Sequence, residues 1–348
     1  MSESISPCEP WAVLNPGGKD PNQDFPDFAG APSAALHPPV NYHAYAASTG
    51  GAFLRNVAAV RERGLKHVIL LLRSDLQDSL AALEKLQSLG CRVFLSFKES
   101  GLHQISQTLL RPGNPRWLGA LCEKADGALS STPDLVAIYR SFGARNVVFL
   151  PTPYPVDDGR WDFSLPEPER RGIFVGTREF DVPTRNHALA LTLALSLAVE
   201  FSQPVSVVNE DGRAGRKRIE SIRAPFPQVE LAIIAGRKAY PEYLRQMARH
   251  RLVWQCDASA VPGQVAGDAL LCRIPCIGGN GTIERLAFPE LTSHGRTFEE
   301  ITAAARKFLA DPDLYRAECA AAQALAAERL SFAAVRRPLS VLSAPRRT

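Results

Sequence analysis

Short apolar runs alternate with amphipathic segments along most of the chain. The runs "KHVILLL", "CRVFLSF", "GALSS" and "NVVFLP" are bounded by polar or turn residues, which is typical of buried strands. Between them, segments such as "DLQDSLAALEKLQSLG" carry apolar residues at helical spacing and end at a glycine. Strands that alternate with helices, without hairpin signals, predict a parallel sheet covered on both faces.

This alternation stops once and then restarts. The stretch "TPYPVDDGRWDFSLPEPERR" is rich in proline and charge and has no periodicity, which predicts a linker. Beyond it, "GIFVG", "PVSVVN", "VELAIIAG", "RLVWQC" and "PCIGG" predict a second set of strands separated by helices. The pattern predicts an α/β chain with two doubly wound, Rossmann-like parallel sheets. Ligands bind at the carboxyl ends of such strands, and we expect the site in a cleft between the two domains.

The domain boundaries follow from this break in the pattern. Residues 1–160 are expected to form an amino-terminal domain and 161–330 a carboxyl-terminal domain. Residues 331–348 are expected to be a closing segment that packs back on the first domain.

Two adjacent glycines, Gly50 and Gly51, lie in "NYHAYAASTGGAFLRNVAAVRERG". The apolar positions from Phe53 to Val60 follow three- and four-residue spacing and predict a helix that extends to about Gly64. Glycines before a helix let a ligand approach the backbone, and the free amides and helix dipole favour phosphate there. A tight turn without a ligand is the alternative interpretation.

A second loop, in "GIFVGTREFDVPTRNHALAL", follows the first strand of the second half. Gly176 ends this predicted strand, and Arg178 and Arg185 precede the next helix. The guanidinium fork bonds phosphate oxygens bidentately and stays charged, so the arginines suit a diphosphate. The alternative is a solvated loop.

Composition sets limits on partners and location. The chain has 348 residues, 45% of them apolar, and a net charge of +4, which favours an anionic substrate or membrane surface without requiring nucleic acid. No apolar run approaches the roughly 18 residues of a membrane span. The start "MSESISPCEPW" has neither a basic nor an apolar segment of the secretory type, so we expect a cytoplasmic protein.

Cysteine usage indicates neither disulfides nor a metal site. The seven cysteines are scattered along the chain and do not form a disulfide framework. Cys272 and Cys276 have no second pair and no histidine near them in the sequence, so we interpret them as small buried hydrophobic residues. No metal site is expected.

Taken together and in this order, four segments resemble group 1 (family 4-like) glycosyltransferases of the GT-B fold. "STGGAFLRNVAAVRERGLKHVILLL" resembles their glycine loop, helix and strand, and "GIFVGTREFDVPTRNHALAL" resembles their strand, glycine and two basic residues. "RLVWQCDASAVPGQVAGDALLCRIPCIGG" is similar to the segment that closes their donor site, and the final "FEEITAAARKFLADPDLYRAECAAAQALAAERLSF" matches their closing helices in pattern. The resemblance implies transfer of a sugar from a nucleotide-diphosphate donor to an acceptor hydroxyl, without metal or cofactor.

The resemblance also implies roles for particular residues. Gly50 and Gly51 would lie against the donor diphosphate. Arg178 and Arg185 would contact the same diphosphate from the other domain and neutralise its charge as it leaves. Asp268 stands where the family has the second glutamate of an acidic pair and would bond the donor ribose. The remaining donor-binding residues that we expect are Gly176, Gly236, Arg237 and Gly263.

One departure from the family leaves the mechanism open. The first glutamate of the family's acidic pair falls on Ala260, so a retaining mechanism is in doubt and an inverting one needs a base. The candidates are His43, just before the glycine pair, and Glu99, just after the strand "CRVFLSF". The missing acid leaves a second hypothesis, an inactive protein that binds a nucleotide sugar or glycan. An epimerase of this fold is a third and less favoured one, because it would want several carboxylates in the cleft.

The acceptor is not specified by the sequence. A glycan, a lipid-linked sugar or a small molecule are all compatible with it. "GRAGRKRIESIRA" predicts a helix with a basic face, which is either solvated or in peripheral contact with the inner face of an anionic membrane; its basic residues are Arg213, Arg216, Lys217, Arg218 and Arg223.

Overall fold

Twelve strands and fourteen helices occur in the described part of the chain, residues 9–28 and 30–344 of a computed structural model. The strands are β1 (Trp11–Leu14), β2 (Gln23–Asp24), β3 (Ala52–Leu54), β4 (His67–Leu72), β5 (Arg92–Phe97), β6 (Gly127–Ser130), β7 (Val147–Phe149), β8 (Ile173–Val175), β9 (Val205–Asn209), β10 (Leu231–Ala235), β11 (Leu252–Trp254) and β12 (Cys276–Ile277). The helices are α1 (Tyr42–Ser48), α2 (Val57–Glu62), α3 (Leu76–Ser88), α4 (Leu102–Leu109), α5 (Asn114–Lys124), α6 (Leu135–Ser141), α7 (His187–Phe201), α8 (Gly212–Arg223), α9 (Tyr240–Met247), α10 (Gln264–Leu271), α11 (Thr282–Ala287), α12 (Phe298–Ala310), α13 (Pro312–Arg329) and α14 (Phe332–Ser343).

Unit 1 consists of the described residues up to Arg160 and from Arg329 onward. Its sheet has the order β2-β3-β1-β4-β5-β6-β7, and every pairing is parallel except that of β2 with β3. The central strand β4 is buried at all positions, as expected for a strand with helices on both faces. Asp75 caps the start of the next helix, α3: its side chain accepts hydrogen bonds from the amides of Gln77 and Asp78.

Unit 2 consists of Trp161–Glu328. Its sheet is parallel throughout, in the order β10-β9-β8-β11-β12. The long apolar helix α7 packs on β8 and β9, which explains why "HALALTLALSLAVEF" is apolar on most of its surface. Both units are thus α/β sheets of the doubly wound type, as the alternating pattern predicts.

The segment around the glycine pair differs from its prediction. No helix begins after Gly51; the chain forms strand β3 at once, and helix α2 begins only at Val57, capped by the Asn56 side chain. Instead, a helix that was not predicted, α1, ends just before the pair. The apolar residues of "AFL" are buried by sheet pairing with β1, and so short a run cannot distinguish strand from helix by spacing.

Gly51 is required by sheet packing. A Cβ atom at this position would lie 1.9 Å from the carbonyl oxygen of Trp11 in β1. Thr49 reinforces this contact, because its hydroxyl accepts a hydrogen bond from the Trp11 amide at 3.1 Å. Gly50 has a φ of 67° and ends the turn. Both glycines therefore lie at the amino ends of β1 and β3, away from the carboxyl ends where ligands bind.

Three further segments contain structure that the sequence pattern does not predict. The stretch "KESGLHQISQTLLRPGNPRW" contains helix α4 in addition to its loop. The two-residue strand β2 has no sequence signal. The linker contains two short 3₁₀ turns, Gly159–Trp161 and Glu167–Glu169, and buries Trp161 to 2% exposure, so it is packed and not a free connection.

Helix α14 packs against α1 within unit 1. Arg336 donates a hydrogen bond to the Ser48 carbonyl at 2.6 Å, and its guanidinium lies 4.2 Å from the centre of the Phe28 ring. The last four residues of the expected closing segment, 345–348, and the start of the chain, 1–8, lie outside the described residues. None of the helices in the described ranges is both long enough and apolar enough to span a bilayer.

We expect Gly51→Ala to destabilise the protein by about 1–3 kcal/mol or more, because the new methyl group must displace the Trp11 backbone. Urea unfolding measures this change. Gly119→Ala is the matched control. Gly119 lies in helix α5, a Cβ atom there would meet no other atom within 4 Å, and alanine is a better helix former than glycine. Equal stability of the Gly51→Ala variant and the wild type would contradict the packing role.

Candidate functional site

Five loops follow the strands of unit 2 at the carboxyl edge of the sheet. They begin at Gly176 after β8, Glu210 after β9, Gly236 after β10, Gln255 after β11 and Gly278 after β12. In open parallel sheets this edge is the place where ligands bind. The predicted residues of the second half, from Gly176 to Asp268, all lie in or next to these loops.

A cavity of about 190 Å³ opens among these loops. It is lined by both basic and acidic side chains together with a glycine turn, including Arg178, Glu210, Gly236, Arg237, Tyr240 and Asp268. Four of these six residues, namely Arg178, Gly236, Arg237 and Asp268, are among those predicted from the sequence. The structure thus brings residues that are up to 90 positions apart into one cavity.

The charged groups of the cavity are held by one another. Arg178 lies 3.2 Å from the carboxylate of Glu210. Burial by itself would lower the pKa of Arg178, but Tyr243, Glu210 and Asp268 raise it, so the guanidinium stays charged. Asp268 is buried in α10 and accepts a hydrogen bond from the Tyr240 hydroxyl at 2.5 Å. The cavity therefore offers a fixed cation and a fixed carboxylate to a ligand.

Helix α10 begins at the edge of this cavity. Its N-cap is Gly263, with φ 94° in the left-handed region, and Gln264 in its first turn lines the cavity. The free amides of such a first turn favour an anion. Gly176 permits this placement, because a Cβ atom there would lie 2.3 Å from the Val265 side chain of α10. Gly176 is thus a packing residue that lets the helix approach β8.

Arg185 is bound to a buried carboxylate and is not among the residues that line the cavity. Its Nη1 atom lies 2.6 Å from Oδ2 of Asp257, which is 2% exposed. The other carboxylate oxygen of Asp257 accepts the Ser259 amide at 2.8 Å. Next to this pair, Ser259 donates to the Thr184 hydroxyl. The ion pair therefore joins the loop after β8 to the loop after β11.

Ala260 occupies the position where the resembled family has its first glutamate. Its φ is 50°, which is unusual for a residue other than glycine, and its amide donates to Oδ1 of Asn280 at 2.7 Å. The backbone here is thus held in a left-handed conformation by the loop after β12. No carboxylate is supplied from this position.

Sequence reasoning missed Glu284, which is completely buried beside these loops. Its Oε1 atom accepts a hydrogen bond from Gln255 at 2.6 Å, while Oε2 has no hydrogen-bond partner among the described residues. Cβ atoms at Gly263 and Gly281 would lie 2.1 and 2.4 Å from Oε2, so both glycines make room for this carboxyl group. The glycine-rich run "GGNGTIE" could have indicated a buried side chain at its end.

Burial raises the pKa of Glu284 from 4.5 to about 7. Asp257 acts in the same direction, whereas the hydrogen bond from Gln255 opposes the shift. The group therefore changes protonation near neutral pH, directly beneath the first turn of α10.

The two base candidates lie in unit 1. His43 is 3% exposed, and its ring is sandwiched between those of His37 and Phe53. Burial, followed by the charges of His37 and Lys98, holds the pKa of His43 well below its usual value. Glu99 is exposed and lies 3.3 Å from Lys98, in a cavity of about 150 Å³ at the carboxyl ends of β4 and β5. Of the two, Glu99 is the accessible one.

A second glycine pair in unit 1, Gly17 and Gly18, does follow a strand, in the turn "NPGG" after β1. Gly17 has a φ of 66° and open space around its α-carbon. Gly17 also lines a groove of about 690 Å³ with Arg55, Arg61 and Lys85. This glycine pair is the one placed at the ligand-binding edge.

The basic residues predicted near position 216 lie on helix α8, where they are exposed. Arg218 is engaged with Asp181 at 2.8 Å, and Arg223 donates to the Val229 carbonyl. Arg213, Arg216 and Lys217 complete a positive face on this helix.

Comparison with solved structures identifies the fold. A UDP-forming trehalose-phosphate synthase from Burkholderia xenovorans matches with a TM-score of 0.61 and 12% identity, over 82% of this chain and 75% of that one. A glycosyltransferase from Rickettsia africae matches with a TM-score of 0.59 and 11% identity, over 82% and 78%. An E. coli trehalose-6-phosphate structure bound with UDP-2-fluoro glucose matches with a TM-score of 0.60 and 11% identity, over 81% and 75%.

These matches extend over more residues than either unit contains, and they show that the chain has the GT-B fold. No protein-family profile and no curated protein sequence matches the chain. At 11 or 12% identity the likeness concerns the fold alone.

We expect Glu284→Gln to remove a pH dependence of stability. The carboxyl group ionises more easily when unfolded, so its stabilising contribution is complete below pH 4.5 and is lost as pH rises to about 7. A shift of this size corresponds to on the order of 3 kcal/mol. Urea unfolding from pH 5 to pH 8 measures it, with exposed Glu230→Gln as the control. A wild type and a Glu284→Gln variant with parallel pH profiles would contradict the shifted pKa.

Proposed function

We propose that this protein transfers a sugar from a nucleotide-diphosphate donor to an acceptor hydroxyl, in the manner of the group 1 glycosyltransferases that its sequence resembles. The observation that carries the proposal is the cavity of unit 2, where Arg178, Asp268 and the first turn of α10 converge at the carboxyl edge of the sheet. This combination supplies a cation, a carboxylate and free amides. A nucleoside diphosphate needs all three.

Each residue of the cavity then has a role. The carboxylate of Asp268 accepts hydrogen bonds from the two ribose hydroxyls, and Tyr240 holds it in place. Arg178 and the α10 amides, reached past Gly263, neutralise the diphosphate. Arg237 and Gly236 belong to the turn after β10, and this turn contacts the nucleobase of the donor.

Arg185 acts on the same diphosphate from a neighbouring loop. Nη1 pairs with Asp257 and the buried Nε lies 3.5 Å from Glu179, so Nη2 is the donor that we assign to a phosphate oxygen. The leaving diphosphate gains charge as the glycosidic bond breaks, so fixed arginines stabilise the transition state more than the ground state. These side chains provide the stabilisation without a metal ion.

We assign the base of an inverting reaction to Glu99, because it is exposed at the carboxyl edge of the unit 1 sheet. His43 is the alternative from the sequence, but its ring has both faces covered. The acceptor is a glycan, a lipid-linked sugar or a small molecule. The exposed basic face of α8 suits peripheral contact with an anionic, cytoplasmic membrane surface if the acceptor is lipid-linked.

A second candidate function is binding of a nucleotide sugar without transfer. The observation that favours it is Ala260, which replaces a carboxylate of the family with a methyl group and has its amide fixed by Asn280. Such a protein would keep the donor cavity and lose turnover.

We expect UDP to bind this protein both with and without a chelator. UDP is the first nucleotide to test because the similar E. coli structure is bound with UDP-2-fluoro glucose. Calorimetry gives the Kd, with GDP and ADP as parallel ligands. Asp268→Asn should weaken binding by about 1.5–3 kcal/mol, a factor of about 10 to 150 in Kd. The asparagine keeps an oxygen acceptor for Tyr240, which limits damage to the fold.

The exposed acid Glu230→Gln is the control and should bind as the wild type does. If none of the three nucleotides binds, or if Asp268→Asn binds as well as the wild type while remaining folded, the donor site is wrong.

Slow hydrolysis of the donor separates transfer from binding alone. An active transferase is expected to release nucleoside diphosphate from the bound sugar nucleotide without an acceptor, whereas a binder releases none. Once an acceptor has been identified, Glu99→Gln should lower the rate of transfer to it. The Kd of the nucleotide should stay unchanged, because Glu99 lies outside unit 2. Tight binding with no turnover for any acceptor tested would support the second candidate.

A further inference from the structure

Three potential metal ligands lie close together in unit 1, although their spacing in the sequence matches no metal-binding motif. Asp20, His37 and His43 can each place one ligand atom so that all three lie within 4.8 Å of one another. Asp20 lies in the loop before β2, His37 in the loop before α1 and His43 in the first turn of α1. The sequence predicts no metal site because these residues have no characteristic spacing.

The nitrogen atoms of both histidines are in a state that suits coordination. Nε2 of His43 is buried and has no hydrogen-bond partner among the described residues. An unpaired polar atom in a side chain that is only 3% exposed is costly unless a ligand satisfies it. Nδ1 of His37 lies 3.0 Å from the Pro38 carbonyl, so it carries the proton and leaves the lone pair on Nε2. A metal-binding histidine commonly donates its other ring nitrogen to a carbonyl in this way.

The surrounding structure fixes the backbone of His37 and the ring of His43. The backbone of His37 makes two hydrogen bonds with the Gln23 side chain, each 3.0 Å long, and Gln23 belongs to β2. His43 stacks on Phe53 of β3 at a ring distance of 3.6 Å. The groups therefore meet because the sheet edge and α1 hold them there.

The stacked rings of His37 and His43 limit how a metal can enter. Their centres are 3.6 Å apart and their planes differ by 9°. In this arrangement the lone pairs of the two rings run nearly parallel and do not meet at one point. A metal ion lies near the plane of each imidazole that binds it, so one of these two nearly parallel rings must rotate before both can bind the same ion. The ring of His37 is the one that turns, because it is only half-buried while Phe53 supports His43 from behind.

We propose that Asp20, His37 and His43 bind a zinc-type divalent cation that clips the segment before α1 to the body of unit 1. Two imidazoles and one carboxylate suit zinc, and the partly exposed side of the group admits water as a fourth ligand. Among the described residues from 15 to 41, which leave out position 29, only the two residues of β2 are in regular structure, so a metal that joins positions 20, 37 and 43 stabilises the segment. The role is structural and independent of the proposed sugar transfer.

The test uses the full chain, stripped with a chelator and carrying no histidine tag. Zinc content after dialysis should be one ion per chain, and zinc should raise the unfolding temperature. Asp20→Asn and His37→Gln should each weaken zinc binding by at least about tenfold. Cobalt in place of zinc should give the visible absorption of a four-coordinate site in the wild type and lose it in both variants.

Matched controls are His103→Gln and Asp78→Asn, since both residues are exposed in unit 1 and lie outside the group. They should bind zinc as the wild type does. His43→Phe keeps the aromatic stack and should abolish binding; if it fails to fold, the half-exposed His37→Gln variant decides. A wild type that binds no zinc, or zinc binding that survives in both Asp20→Asn and His37→Gln, overturns the proposal. UDP binding should be unchanged in these variants, which separates this result from the donor-site test.

Discussion

A parallel strand that is buried on both faces has little room for polar side chains, and this constraint determines where chemistry can occur in each unit. β4 is buried at every position, and β1 and β8 are as well. Polar groups therefore collect in the loops at the strand ends. In unit 2 these loops supply Arg178, Glu210 and the turn at Gly236, so the cavity is a product of chain topology.

Stability of the site depends on contacts between loops that are distant in sequence. Asp257 binds Arg185 of one loop, and its own carbonyl accepts the Asn280 amide of another. Asn280 in turn fixes Ala260. Because each loop is held by its neighbours, the cation and the carboxylate of the cavity are placed before a ligand arrives. Such preorganisation is what electrostatic catalysis needs.

The sequence predicted elements well where periodicity was long and poorly where packing decided. Helices α3 and α7 and strands β4 and β5 are evident from their patterns, and Arg178 and Asp268, which motif order singles out, line the cavity of unit 2. The glycine pair at 50–51 was predicted to admit a ligand, whereas Gly51 packs against the Trp11 backbone, and a glycine that makes room for a strand looks the same in sequence as one that makes room for a ligand. For Glu284 the glycine-rich run before it was the one signal, and Asp20, His37 and His43 had no signal in their spacing, because both groups depend on contacts formed only in the fold.

The return of α14 to unit 1 affects how the protein can be made. During synthesis the first 160 residues leave the ribosome well before α14, and all of unit 2 is translated in between. The α1 surface that receives Arg336 therefore stays uncovered until α14 has been synthesised. An early folding intermediate of unit 1 exposes this surface to chaperones, and a fragment ending at Arg160 would keep it exposed permanently. Completion of the first unit thus requires that the whole of unit 2 be synthesised first.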